Sequence, residues 1–335
     1  MMRYWAMYAA CTAMIVFSGA KLSRYGDILA GKTGLGRTWI GVVLMASVTS
    51  LPELITGLGS VTYAGVPDIA VGDVLGSCAF NLLILAMLDV LQRPLPLSTR
   101  AHHGHTLSAG FGVLLLAIVS LGLVLGERSL PIGWIGGYSL LLLGVYLVAM
   151  KMIYMYERKR VAAFAKERSE EPGYDEIPMR SALLNYALHA GVIILAASAL
   201  PLVGKGIAES TALGQTFVGN IFIAASTSLP EVVVSLAALR MGAVDLAIGN
   251  LLGSNIFNVG LILAADDFFY FAGPILSIVD PSHAVSAISA VAMSAIAILG
   301  FTYRAEKKRL WLAWDAIGMV AVYLVNLLIL FSMRP

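Results

Sequence analysis

Charge is scarce in this chain. Only 13% of its 335 residues are Asp, Glu, Lys or Arg, against 59% hydrophobic. A soluble core cannot hide that much apolar side chain, so lipid is the solvent the composition calls for. Cysteine is nearly missing too: Cys11 and Cys78 both fall inside apolar runs, which rules out a disulfide framework and leaves them as small core residues. No H-E-x-x-H or G-x-S-x-G motif is present, so an intramembrane hydrolase lacks its catalytic set. The net charge of +2 is too small to imply a nucleic-acid partner.

What the chain has in abundance is apolar runs of membrane-spanning length, for which about 20 residues suffice. Ten are expected, over 4–20, 38–61, 68–91, 105–125, 131–155, 181–203, 212–239, 244–265, 283–303 and 310–333. The first is read as a mature helix and not a cleaved leader, since Lys21 and Arg24 follow its apolar run and no A-x-A site does. Of the 22 lysines and arginines, 18 fall in the connections after segments 1, 3, 5, 7 and 9 or, for Lys151, about one turn before such a connection, leaving Arg3, Arg128, Lys205 and Arg334 for the other side. Basic residues stay cytoplasmic. Both termini are therefore expected outside, with the charged linker 156–180 inside, in a multi-pass membrane protein.

Five segments on each side of that linker make the second half enter the membrane in the opposite sense. The fold class expected is an all-α polytopic membrane protein of two inverted five-helix repeats, 1–155 and 181–335. Internal similarity supports it. "TSLPE" stands at both 49–53 and 227–231, and "GDVLGSCAFN" at 72–81 parallels "GNLLGSNIFN" at 249–258. The motif regions are 41–91 and 219–265. Inverted repeats of this kind build secondary transporters, whose sites lie near the bilayer midplane on interrupted helices.

The duplicated motif places a carboxylate in each apolar segment, Glu53 and Glu231, at a cost of several kcal/mol unless it is neutralised. The surrounding segments 2, 3, 7 and 8 offer no basic residue in their apolar cores, which leaves a proton or a metal ion. Two carboxylates match one divalent cation in charge. Spacing by four puts Thr49 with Glu53, Thr227 with Glu231, Ser77 with Asn81 and Ser254 with Asn258 on common helix faces. All are oxygen donors, the hard ligands that suit Ca²⁺. Pro52 and Pro230 should kink their helices and free the carbonyls of Val48 and Ser226.

These paired motifs resemble the two alpha repeats of the Ca²⁺/cation antiporter superfamily, and most closely its prokaryotic sodium/calcium exchangers. The resemblance implies Ca²⁺ ligation by Glu53, Glu231, Thr49 and Thr227, with Ser50, Ser77, Asn81, Ser228, Ser254 and Asn258 shaping or coordinating flanking cation sites. It implies transported Ca²⁺ and Na⁺, with H⁺ as the alternative coupling ion, and no bound cofactor. The chain departs from the family at Val48 and Ser226, where the glycine before the Thr is replaced. Some prokaryotic sodium/calcium exchangers, and the potassium-dependent ones, have Asp where Asn258 stands, so the neutral amide argues against potassium dependence and is shared in kind with proton/calcium exchangers. The proton/calcium branch typically has a "GNA.E" pattern without proline, so the TSLPE motif favours Na⁺. In either case both glutamates must be neutralised before the protein reorients, because occluding bare carboxylates is costly. Segments 1 and 6 are expected to slide against a core of 2, 3, 7 and 8, with Gly19, Gly204 and Gly206 as hinges or helix-end caps. A passive cation channel is a remote alternative, lacking the symmetric oligomeric pore such channels use.

Asp73, which replaces the Asn250 of the other repeat, is read as either a member of an external cation vestibule or a helix-start aspartate. His102, His103 and His105 are expected in a solvated loop. The acidic run "SEEPGYDE" lacks EF-hand periodicity and reads as linker. Asp315, beside Trp311 and Trp314, reads as an interface anchor.

Overall fold

The computed structural model describes residues 2–33, 46–92, 94–128, 130–164, 177–211, 213–240, 242, 244–308, 311 and 313–333. The start of segment 2, linker residues 165–176 and Arg334 lie outside them. Helix α1 spans Met2–Thr33. Helix α2 consists of Ala46–Thr49, Leu51–Gly59 and a π-turn, Ser60–Ala64. Then come α3 (Pro67–Leu91), α4 (Gly104–Leu125), α5 (Gly137–Phe164) and α6 (Met179–Thr211). Helix α7 is assembled from Gln215–Phe217, a π-turn Val218–Ile223, Ala224–Thr227 and Leu229–Arg240. Helix α8 joins Val244–Phe257, a π-turn Asn258–Ile262 and Leu263–Phe269. Helices α9 (His283–Tyr303) and α10 (Trp314–Ser332) complete the bundle.

Among the described residues seven helices are individually long and apolar enough to cross a bilayer, and the bent α7 pair makes an eighth. The other two of the ten expected segments are α1 and α2. The arrangement follows from burial. In α3 and α8 the apolar window is 72% and 83% buried, against 28–44% for the other single spans, so these two are the axis of the molecule. Around them, one apolar cluster joins α3 and α8 to α4, α5 and α9, and a second joins them to α9 and α10. Helices α1 and α6 lie along each other on the remaining side, where Cys11 and Ile15 meet Leu200 and Ile207.

Each half closes one polar rivet. Asp89 at the end of α3 accepts Leu97 N–H at 2.7 Å and Ala313 N–H at 2.8 Å, and pairs with Lys308 at 3.1 Å. Asp267 at the end of α8 accepts Ile275 N–H at 2.7 Å, Gly136 N–H at 2.8 Å, Ser139 Oγ–H at 2.6 Å and Tyr138 O–H at 2.9 Å. Both aspartates bind an amide eight residues ahead, beside a proline-capped turn. They are counterparts 178 residues apart, and they tie opposite faces of the bundle.

Several sequence expectations are corrected. Residues 131–136 are not the start of segment 5 but a short β-hairpin, Pro131–Ile132 against Ile135–Gly136, because Gly133 needs φ of 68° and turns the chain back. Segment 8 continues past 265 to Phe269, since Asp267 is satisfied internally and does not end the helix. His105 is not in a solvated loop: it sits in the first turn of α4, 6% exposed, with Nε2 2.9 Å from Asp245 Oδ1. Trp311 and Trp314 are exposed as expected of anchors, but Asp315 is buried against Gly300. Gly19, Gly204 and Gly206 are not at helix ends, so they do not act as caps. They lie inside α1 and α6 as close-approach points, Gly19 under Pro230, Gly206 under the Tyr4 ring, and Gly204 against Ile69 and Ile223.

Candidate cation site

Both TSLPE motifs break their helices at the same residue and in the same way. Ser50 has φ −86° and ψ 8°, and Ser228 has φ −85° and ψ 5°. The bridge-region geometry follows from proline two residues on, which supplies no N–H to the carbonyl four residues back. In α7 the two pieces meet at 43°. Thr227 Oγ1 lies 3.1 Å and 3.2 Å from the carbonyls of Ile223 and Ala224, and Thr49 Oγ1 lies 3.3 Å from that of Ala46, so both threonines sit on their own helix ends.

The break turns each serine across the molecular pseudo-dyad. Glu53 Oε1 accepts hydrogen bonds from Ser77 at 3.2 Å and from Ser228 at 3.0 Å. Glu231 Oε1 accepts from Ser254 at 3.2 Å and from Ser50 at 3.3 Å. Each carboxylate is thus held by one serine of its own repeat and one of the other. Both glutamates are fully buried, and in each the second oxygen, Oε2, has no hydrogen-bond partner. The two lie within electrostatic reach of each other. No basic side chain pairs with either among the described residues. The outer ring follows the same symmetry: Ser77 lies 3.4 Å from Thr227, and Ser254 3.4 Å from Thr49.

Asn81 and Asn258 occupy equivalent positions but behave differently. Asn81 Nδ2 donates to Asn255 Oδ1 at 3.0 Å, and Asn255 Nδ2 donates to the carbonyl of Cys78 at 3.2 Å, stapling α3 to α8. Asn258 opens the π-turn of α8, buried, with neither amide atom partnered. Interrupted helices of this kind recur at functional sites. Asn255 escaped the sequence reading because its counterpart in the first repeat is Cys78, which hides the pairing.

Asp73 is 0% exposed, so it faces the site and not an open vestibule. Its Oδ1 accepts from Thr227 Oγ1 at 2.8 Å, where Asn250 in the other half accepts from Thr49 at 3.4 Å. Asp73 also lies within electrostatic reach of Glu53 and Glu231. Asp73→Asn restores the symmetry of the two halves and removes one negative charge; cation affinity in a direct binding titration is expected to fall about tenfold, the equivalent of about 1.4 kcal/mol. Unchanged affinity would make Asp73 a mere partner for Thr227.

Inverted halves, paired broken helices and a buried, unpaired carboxylate at each break define a secondary cation transporter. The family model described as "Sodium/calcium exchanger protein" matches residues 3–155 and 182–332, and the chain belongs to that family. It is 31% identical over 255 residues to the inner membrane protein YrbG of Escherichia coli, covering 75% of each chain. It is 35% identical over 124 residues to the sodium/calcium exchanger MaX1 of Methanosarcina acetivorans, a match that covers 37% of this chain and 33% of that one. In structure it resembles the sodium-calcium exchanger NCX_Mj soaked with Na⁺ and Sr²⁺, with a TM-score of 0.62 at 22% identity over 98% of both chains. The protein is therefore an integral multi-pass membrane cation antiporter, not an enzyme.

Proposed function

We propose that this antiporter moves Ca²⁺ across the membrane in exchange for Na⁺ by alternating access, with both termini outside and the 156–180 linker in the cytoplasm. The observation that carries the reading is the pair of glutamates, each clamped through Oε1 by serines of both repeats and each keeping a free Oε2. Two free carboxylate oxygens backed by Thr49 and Thr227 supply the charge and hard oxygens that a divalent cation selects. Ser50, Ser77, Ser228, Ser254 and Asn258 surround that centre with neutral oxygens, a donor set suited to monovalent ions that replace Ca²⁺ in turn. The name of MaX1 and the ions soaked into NCX_Mj favour the same exchange.

Release of Ca²⁺ leaves two uncompensated charges in low dielectric, so the empty protein stays on one side until Na⁺ reloads it. Helices α1 and α6 would supply the movement. Among the described residues, their hydrogen bonds to the core include Tyr8 to the carbonyl of Phe222 at 2.6 Å, Thr12 with Ser226 at 2.9 Å, Thr56 to the carbonyl of Ala197 at 3.5 Å, Lys205 to that of Ala64 at 3.5 Å, and Tyr63 to that of Ser198.

Exchange of Ca²⁺ for protons at the same glutamates is the second reading, favoured by the lack of basic partners around them among the described residues. Radiolabelled Ca²⁺ uptake into proteoliposomes of the purified chain separates the two. Vesicles loaded with Na⁺ at uniform pH are expected to accumulate Ca²⁺. Accumulation only in Na⁺-free vesicles with an acidic interior would establish the proton exchanger, and flux needing no counter-ion would establish a channel.

A further inference from the structure

Asp266 is a fully buried carboxylate with no part in the glutamate clamps, and neither Oδ1 nor Oδ2 has a hydrogen-bond partner. Both oxygens lie 2.6 Å from where a Cβ on Gly57 would stand. The carboxylate therefore fills a notch in α2 that exists only because residue 57 is glycine. That notch is one helical turn from Glu53, toward the face carrying the 131–136 hairpin.

The repeats explain why the group is there. Aligning the two TSLPE motifs pairs Gly57 with Ser235, and aligning GDVLGS with GNLLGS in the next helices pairs Asp73 with Asn250. In the second half these positions close on each other without charge, Asn250 Nδ2 donating to Ser235 Oγ at 3.2 Å. In the first half they are an aspartate and a glycine, and Asp266 reaches into the gap. The π-turn Asn258–Ile262 delivers it. Ser77 and Ser254 are 177 residues apart, whereas the rivets Asp89 and Asp267 are 178 apart, so the π-turn carries one extra residue. Past it, Asp266 stands where the first half has Leu88, a buried leucine.

Among the described residues, Asp73 from α3 and Asp267 from α8 itself lie within electrostatic reach of Asp266; Glu53 stands one helical turn from Gly57 along α2, Tyr138 from α5 bonds Asp267, and Tyr146 from α5 packs on Gly260. None is basic, and the described ion pairs, His105–Asp245, His283–Asp68 and Lys308–Asp89, all lie elsewhere. One carboxylate without a hydroxyl donor is too small an oxygen set for Ca²⁺. A proton needs only one oxygen.

We propose that Asp266 is a proton-binding site on the hairpin side of the transport pathway, whose proton release adds a negative charge beside Asp73 and Glu53 and tightens cation binding. The proposal rests on the antiporter reading for its consequence and on the proposed orientation for making that side external. The neutral Asn250–Ser235 contact gives the opposite side no matching group, so the two faces should respond differently to pH.

The test uses purified full-length protein with Ca²⁺ as the probe, titrated across a pH series in the wild type, Asp266→Asn and Asp266→Leu. The leucine variant copies Leu88 of the first half and serves if the amide is poorly tolerated. Wild-type affinity is expected to weaken as pH falls, and both variants to lose up to about tenfold per pH unit of that dependence, the slope of one coupled proton. Identical pH slopes in all three proteins would overturn the proposal. Infrared spectra supply the second readout: a carboxylic-acid C=O band present in the wild type and missing from both variants is expected, and its persistence in both would equally overturn it. A wild type that shows the band but binds no Ca²⁺ would sink the antiporter reading and leave the proton site standing.

Discussion

Glu53→Gln and Glu231→Gln are each expected to abolish measurable Ca²⁺ accumulation in proteoliposomes, a fall of at least about a hundredfold. Either substitution leaves a carbonyl oxygen to accept from the two serines, so the clamps from Ser77 and Ser228, or from Ser254 and Ser50, survive and the helices stay broken in place. What disappears is half the formal charge of the glutamate pair and one of its two free carboxylate oxygens. Loss of a charge-assisted contact costs about 3 kcal/mol, which is about two powers of ten in affinity. Near-symmetry makes the two variants similar in severity. Transport at wild-type rate in either would show that the divalent cation binds elsewhere.

Asp267→Ala is expected to leave little folded protein. Its carboxylate gathers four donors from three separate pieces of chain: the hairpin, the start of α5 and the turn at Ile275. Removing it strands two backbone amides and two hydroxyls, of which Tyr138 keeps only the bond it accepts from Leu276 N–H at 2.9 Å. Each buried orphan costs about 1–3 kcal/mol. Even with partial relaxation the total is on the order of 4 kcal/mol, a large share of the stability of an ordinary domain. Thermal unfolding in detergent, followed by tryptophan fluorescence, measures it. A melting temperature within a few degrees of the wild type would mean that water replaces the carboxylate. Asp267→Asn should fall between the two, because one amide oxygen can still accept from part of the set.

The sequence made the layout legible because the apolar runs are long and the TSLPE duplication fixes which helix corresponds to which. Glu53 and Glu231 stand out as acids in lipid-length segments, the spacing of four put Thr49 and Thr227 beside them, and the family resemblance added Ser77 and Ser254. Less visible was that Ser50 and Ser228 cross to the opposite glutamate, since that depends on a bridge-region backbone and not on helical periodicity. Asp266 was hidden for a related reason. Beside Asp267 it read as the end of segment 8, and only the extra residue of the π-turn, which leaves no composition signature, turns it inward against Gly57. The interior glycines of α1 and α6 likewise carried no sign of which side chains they approach.

The crossing of the serines bears on how such a chain arose. A single five-helix half contains one glutamate and only one of the two hydroxyls that hold it; the other must come from a partner lying upside down in the same bilayer. Before the halves were fused, a gene encoding one of them would have been useful only if its product inserted in both directions and met itself. A covalent join between halves of opposite sense makes every molecule a matched pair.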